Sequence, residues 1–263
     1  MPTVLSGRGD PARTLALLWR PRAAPARGPR PALTVDRIVA AAIELADADG
    51  LPALTMRRVA DRLGVGTMSL YTYLPGKPEL VDLMLDTVYG ETARPVQPAG
   101  PAGWRAALTQ VAQENWALCQ RHPWMLDVAV GRPLAGPNET AKFDYELRTV
   151  DGIGLTELEM DAAVRLVLGH VSAAARSAVE KAQLERLTGQ THAQWWREHA
   201  PLLAELVDPD QFPTATRVGE AVGAAFDAAF DPGYAWEFGL QRILDGLAAL
   251  VQSRGYRPPV PIH

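Results

Sequence analysis

Apolar positions recur at helical spacing along almost the whole chain. From Leu33-Thr34 onward, Ile38, Val39, Ala42, Ile43, Leu45 and Ala46 fall on one face, with Thr34 as N-cap and Gly50 closing the run. A second start follows at Thr55, ahead of Met56–Leu63, and Gly64 ends it. After Gly64-Val65-Gly66 comes a third segment, Thr67–Leu74, broken by Pro75-Gly76, and then a fourth over Lys77–Tyr89. Further helical patterns are read at 104–121, 123–130, 138–151, 156–187, 192–207, 216–229 and 234–253, with Pro or Gly at their separators. No stretch sustains two-residue alternation of β-branched residues, so the pattern predicts an all-α chain with essentially no sheet.

The exception is the beginning. Residues 20–32 are built from Pro, Ala, Gly and Arg, and repeated prolines fix φ and remove donors. The reading expects 1–32 as a mostly disordered basic arm, in which Ala12–Trp19 has room for a short helix. Residues 33–78 then form a three-helix domain, and 79–263 form one larger helical body. The Pro/Gly-rich stretch 94–103 is expected as a loop within that body.

Charge sharpens this division. The 263-residue chain carries −4 overall, which argues against a nucleic-acid partner until its distribution is considered. Residues 1–77 hold eleven Arg and Lys against six Asp and Glu, and the remainder holds fifteen against twenty-four. A basic front on an acidic body is what a protein needs when one end meets phosphates, although six arginines in an unstructured tail would produce the same count. A single cysteine, Cys119, allows neither an internal disulfide nor a cysteine-based metal site. No apolar run reaches about 20 residues and no basic-then-apolar leader stands at the start, so a cytoplasmic protein with no membrane contact is expected.

Three short helices within about 45 residues, the last two joined by a glycine-containing turn, match helix-turn-helix spacing. Val59, Ala60, Leu63, Val65 and Leu70 are spaced to bury the inner faces, and Ala60 is small where the helices approach closest. What remains outward on the third helix is Thr67, Met68, Ser69, Tyr71, Thr72 and Tyr73. No Glu, Lys or Arg lies between Gly66 and Pro75, although these are the usual choices for a merely solvated face. A helix entering the major groove must lack acids facing phosphates, whereas Ser, Thr and Tyr can bond phosphates or base edges. Arg57 and Lys77 bracket the element with positive charge.

On these residues, notably Leu54–Val65 and Leu70–Leu80, the chain resembles the DNA-binding domain of TetR-family transcriptional regulators. The resemblance covers 33–86, and the helical pattern after it also suits that family. It implies a ligand-responsive repressor, acting as a homodimer on a palindromic double-stranded DNA operator and released by a small molecule. It further implies that Thr55 and Arg57 contact backbone phosphates, that Thr67, Met68, Ser69 and Thr72 face bases, and that Tyr71, Tyr73 and Lys77 hold phosphates. Arg22, Arg27 and Arg30 either follow an adjacent minor groove or sit in an unstructured extension; such composition more often means the latter.

The body is expected to supply the dimer and the effector site. Met160, Val164, Val167, Val171, Ala174, Ala178 and Ala182 form one apolar stripe, and Trp236, Leu240, Ile243, Leu244, Leu247, Leu250 and Val251 form another. Both suit a dimer seam and both serve equally as intramolecular core. Trp116, Trp124, Met125, Phe143, Tyr145, His170 and Arg176 are candidate ligand-binding residues, since small-molecule sites combine apolar walls with a few polar groups. Tetracycline repressors hold a magnesium–drug chelate with histidines. This chain has Glu91-Thr92-Ala93 and Ala129-Val130-Gly131 in the corresponding regions, so no metal or other cofactor is expected.

Other classes fit less well. There is no Gly-x-Ser-x-Gly, no Gly-rich phosphate loop and no His-Glu-x-x-His, so an enzyme is not expected. His192 and His199 share a helical face without a completing ligand. A protein-binding adaptor would place acids or exposed aliphatics on the third helix, which this sequence does not do.

Overall fold

The computed structural model describes residues 4–7, 9–20, 33–95, 103–129 and 132–254. Arg22, Arg27 and Arg30, and most of the expected loop at 94–103, lie outside the described residues. The chain divides into two compact units, residues 1–168 with 247–263, and residues 169–246.

The first unit holds the three-helix domain and the front of the body. Thr34 accepts from the Arg37 amide at 3.2 Å and starts α2 (Val35–Asp49). Thr55 does the same for Arg58 at 3.2 Å and starts α3 (Met56–Leu63). Gly64 then adopts φ 68°, a left-handed conformation that an L side chain would strain. This lets the Val65 amide return to the Ala60 carbonyl at 3.0 Å and turns the chain into α4 (Thr67–Tyr71). α4 is shorter than the expected 67–74, because the Tyr73 and Leu74 amides both fold back on the Leu70 carbonyl. Ile38, Ala42, Val59, Ala60, Leu70 and Leu74 are fully buried together with Leu80 and Met84 of α5 (Lys77–Tyr89). α5 therefore belongs to the core of the three-helix domain as well as to the body.

The beginning of the chain departs from the expected disorder. Asp10 caps α1 (Pro11–Leu18), accepting from the Arg13 amide at 3.1 Å, with Pro11 in the first turn where its missing N–H costs nothing. α1 packs along α5, burying Thr14 and Leu18. The Trp19 indole donates to the Ala135 carbonyl at 2.8 Å, and Arg20 pairs with Asp36. Ahead of it, β1 (Val4–Leu5) pairs in parallel with β2 (Val128–Ala129), a two-residue ladder in an otherwise helical fold. The short helix for which Ala12–Trp19 left room is thus present as α1, and the departure from the expected disorder lies in its packing and in the strand ahead of it.

Beyond α5 run α6 (Trp104–Arg121), a 3-10 turn at Pro123–Asp127, β2, α7 (Pro137–Arg148) and α8 (Glu157–Thr188). The expected helix at 123–130 is thus a 3-10 turn followed by extended backbone, because Val128 and Ala129 are held by β1. Ala163, Val164 and Val167 of α8 are buried, as are Leu247 and Val251.

In the second unit, a reciprocal Thr191/Gln194 capping box starts α9 (His192–Leu206). α10 (Pro213–Phe226) begins three residues earlier than expected, with Pro213 in its first turn, and ends at Asp227 with φ 50°. α11 (Pro232–Ser253) buries Leu240 and Leu244, while α8 buries Val171 and Ala175. Seven of the fourteen stripe residues, Val164, Val167, Val171, Leu240, Leu244, Leu247 and Val251, are therefore buried within the chain, while Ala182 is exposed and the others are half-buried. Among the described residues, no helix is long and apolar enough to cross a membrane.

Candidate nucleic-acid interface and effector pocket

The burial of Leu70 and Leu74 decides what α4 displays. With those two side chains inward, Met68 is 77% exposed, Tyr71 and Tyr73 are exposed, and Ser69 and Thr72 accompany them. Thr67 is half-buried at the helix start. These sequence-selected residues thus share one outward surface that carries no carboxylate. Arg57 stands at the start of α3 with its side chain 86% exposed and its Nε 4.0 Å from Asp61. Thr55 is exposed beside it, its hydroxyl engaged as the cap. Lys77 is less available than the sequence suggests. It is half-buried, its ammonium donates to the Leu51 carbonyl at 3.4 Å, and burial pulls its pKa below the ordinary lysine value.

A cavity of about 390 Å³ lies in the first unit, walled by Tyr89, Pro133, Phe143, Val164 and Leu168, with Arg132, Glu139, Thr140, Lys142, Glu146 and Arg165 as polar groups. Its size is in the range of small-molecule sites. The polar side of the wall is tightly organised. Lys142 Nζ lies 2.5 Å from Glu146 Oε1, which also accepts from Asn115 Nδ2 at 2.9 Å, and both residues of the pair are buried. The Lys142 ammonium lies 5.4 Å from the centroid of the Tyr89 ring. Burial pushes the Tyr89 phenol far above its usual range, so it is a neutral hydrogen-bonding group. Burial also raises the Glu139 carboxyl, against the opposing Ala135 amide that donates to it.

Of the sequence-selected ligand residues, Phe143 lines this cavity. Tyr145 is buried on the same helix, with its hydroxyl 3.4 Å from Glu114. Trp116 is half-buried on α6. Trp124 is 1% exposed and donates its indole N–H to Asp47 at 2.8 Å, and Met125 packs against the same core. The structure therefore brings these two to the three-helix domain rather than to the cavity. His170 and Arg176 belong to the second unit, where His170 stacks on Trp236 with ring centroids 5.5 Å apart. Sequence reasoning missed Tyr89, Arg132, Lys142 and Glu146. The last two, four residues apart, look in sequence like a solvated helix pair, and nothing local marks them as buried.

Among the described residues, no three His, Cys, Asp or Glu side chains converge in a metal-binding cluster.

Comparison with known proteins agrees with this geometry. Residues 38–84 match the family of bacterial regulatory proteins called tetR, and residues 97–251 match the tetracyclin repressor-like C-terminal domain. The HTH-type transcriptional repressor DrrR1 of Streptomyces coeruleorubidus is 46% identical over 258 residues, 98% of this chain and 93% of that protein. Apo ActR from Streptomyces coelicolor superposes with a TM-score of 0.70 at 25% identity, covering 86% of this chain and 99% of ActR. ActR in complex with actinorhodin gives 0.68 at 26% identity, covering 82% and 96%. With a three-helix reading head, an acid-free exposed face and both parts matched along nearly the whole length, this chain belongs to the tetR family and is a DNA-binding transcriptional regulator.

Proposed function

We propose that the protein is a homodimeric repressor that holds a pseudo-palindromic operator and releases it when a small molecule enters the cavity between α5, α7 and α8. The observation that carries the DNA half is the α4 surface. Thr67, Met68, Ser69 and Thr72 read base edges there, and Tyr71 and Tyr73 hold flanking phosphates together with Thr55, Arg57 and Lys77. One such helix reads too few base pairs for useful specificity, which is why two copies are needed. Large apolar side chains left on α11, Tyr234 at 58% and Phe238 at 52% exposed, suit burial against a second chain.

The effector half is supported by the Lys142–Glu146 pair and by the relative that binds actinorhodin. The cavity pairs aromatic walls with buried polar groups, which suits an organic molecule of drug-like size. A ligand there touches α5 and α7 directly and shifts α5, which forms part of the reading domain's core. Two recognition helices then lose their spacing, and several contacts of about 1–3 kcal/mol each are lost together.

Selection from random duplex DNA with the purified protein, at two salt concentrations, tests this reading. An enriched palindrome that binds less tightly at higher salt is expected, and Tyr71→Ala abolishes the enrichment. Absence of any enriched sequence with an intact dimer defeats the reading.

A further inference from the structure

His122 occupies the joint between the reading domain and the body, and its surroundings are unusual for a buried histidine. The ring is 5% exposed. Its Nδ1 lies 2.7 Å from Asp47 Oδ1 on α2, and its Nε2 lies 3.0 Å from Glu91 Oε2 just beyond α5. In each carboxylate the oxygen that faces the ring has a second donor. Asp47 Oδ1 also accepts from the Trp124 indole at 2.8 Å, and Glu91 Oε2 accepts from Arg121 at 2.6 Å.

The chemistry of the ring decides its charge. A neutral imidazole carries one N–H and one lone pair, so it can donate to only one carboxylate and presents repulsion to the other. Donation at both nitrogens requires the imidazolium. Partial burial pushes the Glu91 carboxyl up, but hydrogen bonds from His122 and Arg121 and their charges outweigh it, leaving Glu91 below the usual carboxylate range. The charged groups around the ring are therefore Asp47 from α2, Glu91 from the end of α5 and Arg121 from α6. Glu44, Asp86 and Arg20 border the same groove.

We infer that His122 is a positioning residue for operator binding, its doubly donating ring tying α2 of the reading domain to the α5–α6 side of the body. With the ring protonated, the two carboxylates are held from one point and α2 keeps a fixed orientation. Loss of one proton releases one carboxylate, and α2 then has more orientations to give up on binding DNA. Operator affinity is therefore lower once the ring has lost that proton, with a pH slope no steeper than about tenfold per pH unit per chain. This inference rests on the operator-binding reading.

The experiment has two arms, both on the full-length dimer. The first follows the imidazole resonances of protein labelled with 15N at its five histidines, across pH and without DNA, using His122→Gln to assign the signal. Two N–H protons on the His122 ring at the acidic end, one of them lost on raising the pH, are expected. A ring holding a single proton throughout overturns the inference whatever the protein does with DNA. The second arm measures affinity for the selected operator against pH in the wild type, His122→Gln and Glu91→Gln. The wild type weakens with rising pH and both variants show a flatter profile. Equal slopes in all three, or tighter wild-type binding at high pH, overturn it. Glu91→Gln, at a partly exposed position, keeps the test decisive if His122→Gln does not fold. If no operator is found at all, the operator reading fails while the imidazole arm still decides the state of His122.

Discussion

Asp86 of α5 serves as the N-terminal cap of α7 through Asn138. One carboxylate oxygen accepts from the Asn138 amide at 3.0 Å and the other from its side-chain nitrogen at 3.1 Å, while the Glu139 amide adds a bond at 2.9 Å. A charged side chain thus crosses from the helix that completes the reading domain's core to the helix that walls the cavity. The cap is supplied by another element because Gly136, at the N-cap position, has no side chain to offer. A Cβ there would stand 2.2 Å from the Asp86 carboxylate.

Asp86→Ala is expected to destabilise the fold by about 0.5–2 kcal/mol, the usual worth of a helix cap. Gly136→Ala should do comparable harm by forcing the carboxylate away. Urea denaturation of the two single variants and the double variant checks this. Strongly non-additive losses are expected, because both act on one contact. Simple additivity would mean that the cap is not what Gly136 protects.

The reading head predicts a division of labour. Arg57→Ala weakens binding to all DNA sequences alike and lowers the salt slope by about two, as expected for one lost phosphate contact from each of two protomers. Met68→Ala leaves the salt slope unchanged and relaxes the base preference at one position in each half-site. Fluorescence anisotropy on the selected operator and its single-base variants, across a salt series, separates the two. A salt-slope change in Met68→Ala would move that side chain from base reading to backbone positioning.

Asp82 of α5 is fully buried, and its partner is the Gly7 amide at 3.1 Å. Burial raises its pKa, the Gly7 amide opposes this, and nearby Glu79 adds to the rise. A carboxyl whose folded pKa is raised favours the folded state while protonated. Its contribution is present below the unfolded value and lost as pH rises through the folded one. Asp82→Asn removes that loss, so it should stabilise the protein at pH 7 relative to wild type, with little difference at pH 4. Thermal melts at the two pH values test the sign, and a variant less stable at pH 7 than at pH 4 relative to wild type refutes it.

Glu146→Gln leaves the buried Lys142 ammonium without its partner, and removing one member of such a pair commonly costs about 3–5 kcal/mol. Lys142→Met with Glu146→Leu should recover much of that stability while changing the polarity of the cavity. Denaturant midpoints for the single and double variants check this. A single variant as stable as wild type would show that water already compensates the pair.

Much of this was legible in the chain. Thr34, Thr55, Gly64 and Pro75-Gly76 punctuate the reading domain by local chemistry, and each acts where its residue type implies, as a cap, a left-handed turn or a break. The outward set on α4 followed from helical periodicity once Leu70 was placed inside. The cavity was not legible. Phe143 was found by being aromatic, but Trp124, chosen for the same reason, fills the core beside α2 and donates to Asp47. Size and apolarity mark a residue for burial without saying where it is buried.

What the sequence determined by itself is therefore what depends on neighbours a few residues apart: helix limits, caps, turns, the faces that turn inward, and the family to which those signals belong. The tertiary structure decided which distant groups meet. It brought His122 between Asp47 and Glu91, Asp86 to the end of α7, Lys142 to Glu146 inside the body, and β1 to β2 across more than a hundred residues of chain. Charged and polar side chains look alike in a sequence whether solvated or buried. Only the packing that removes water from around them turns such a pair into a cap, a joint or a pocket wall.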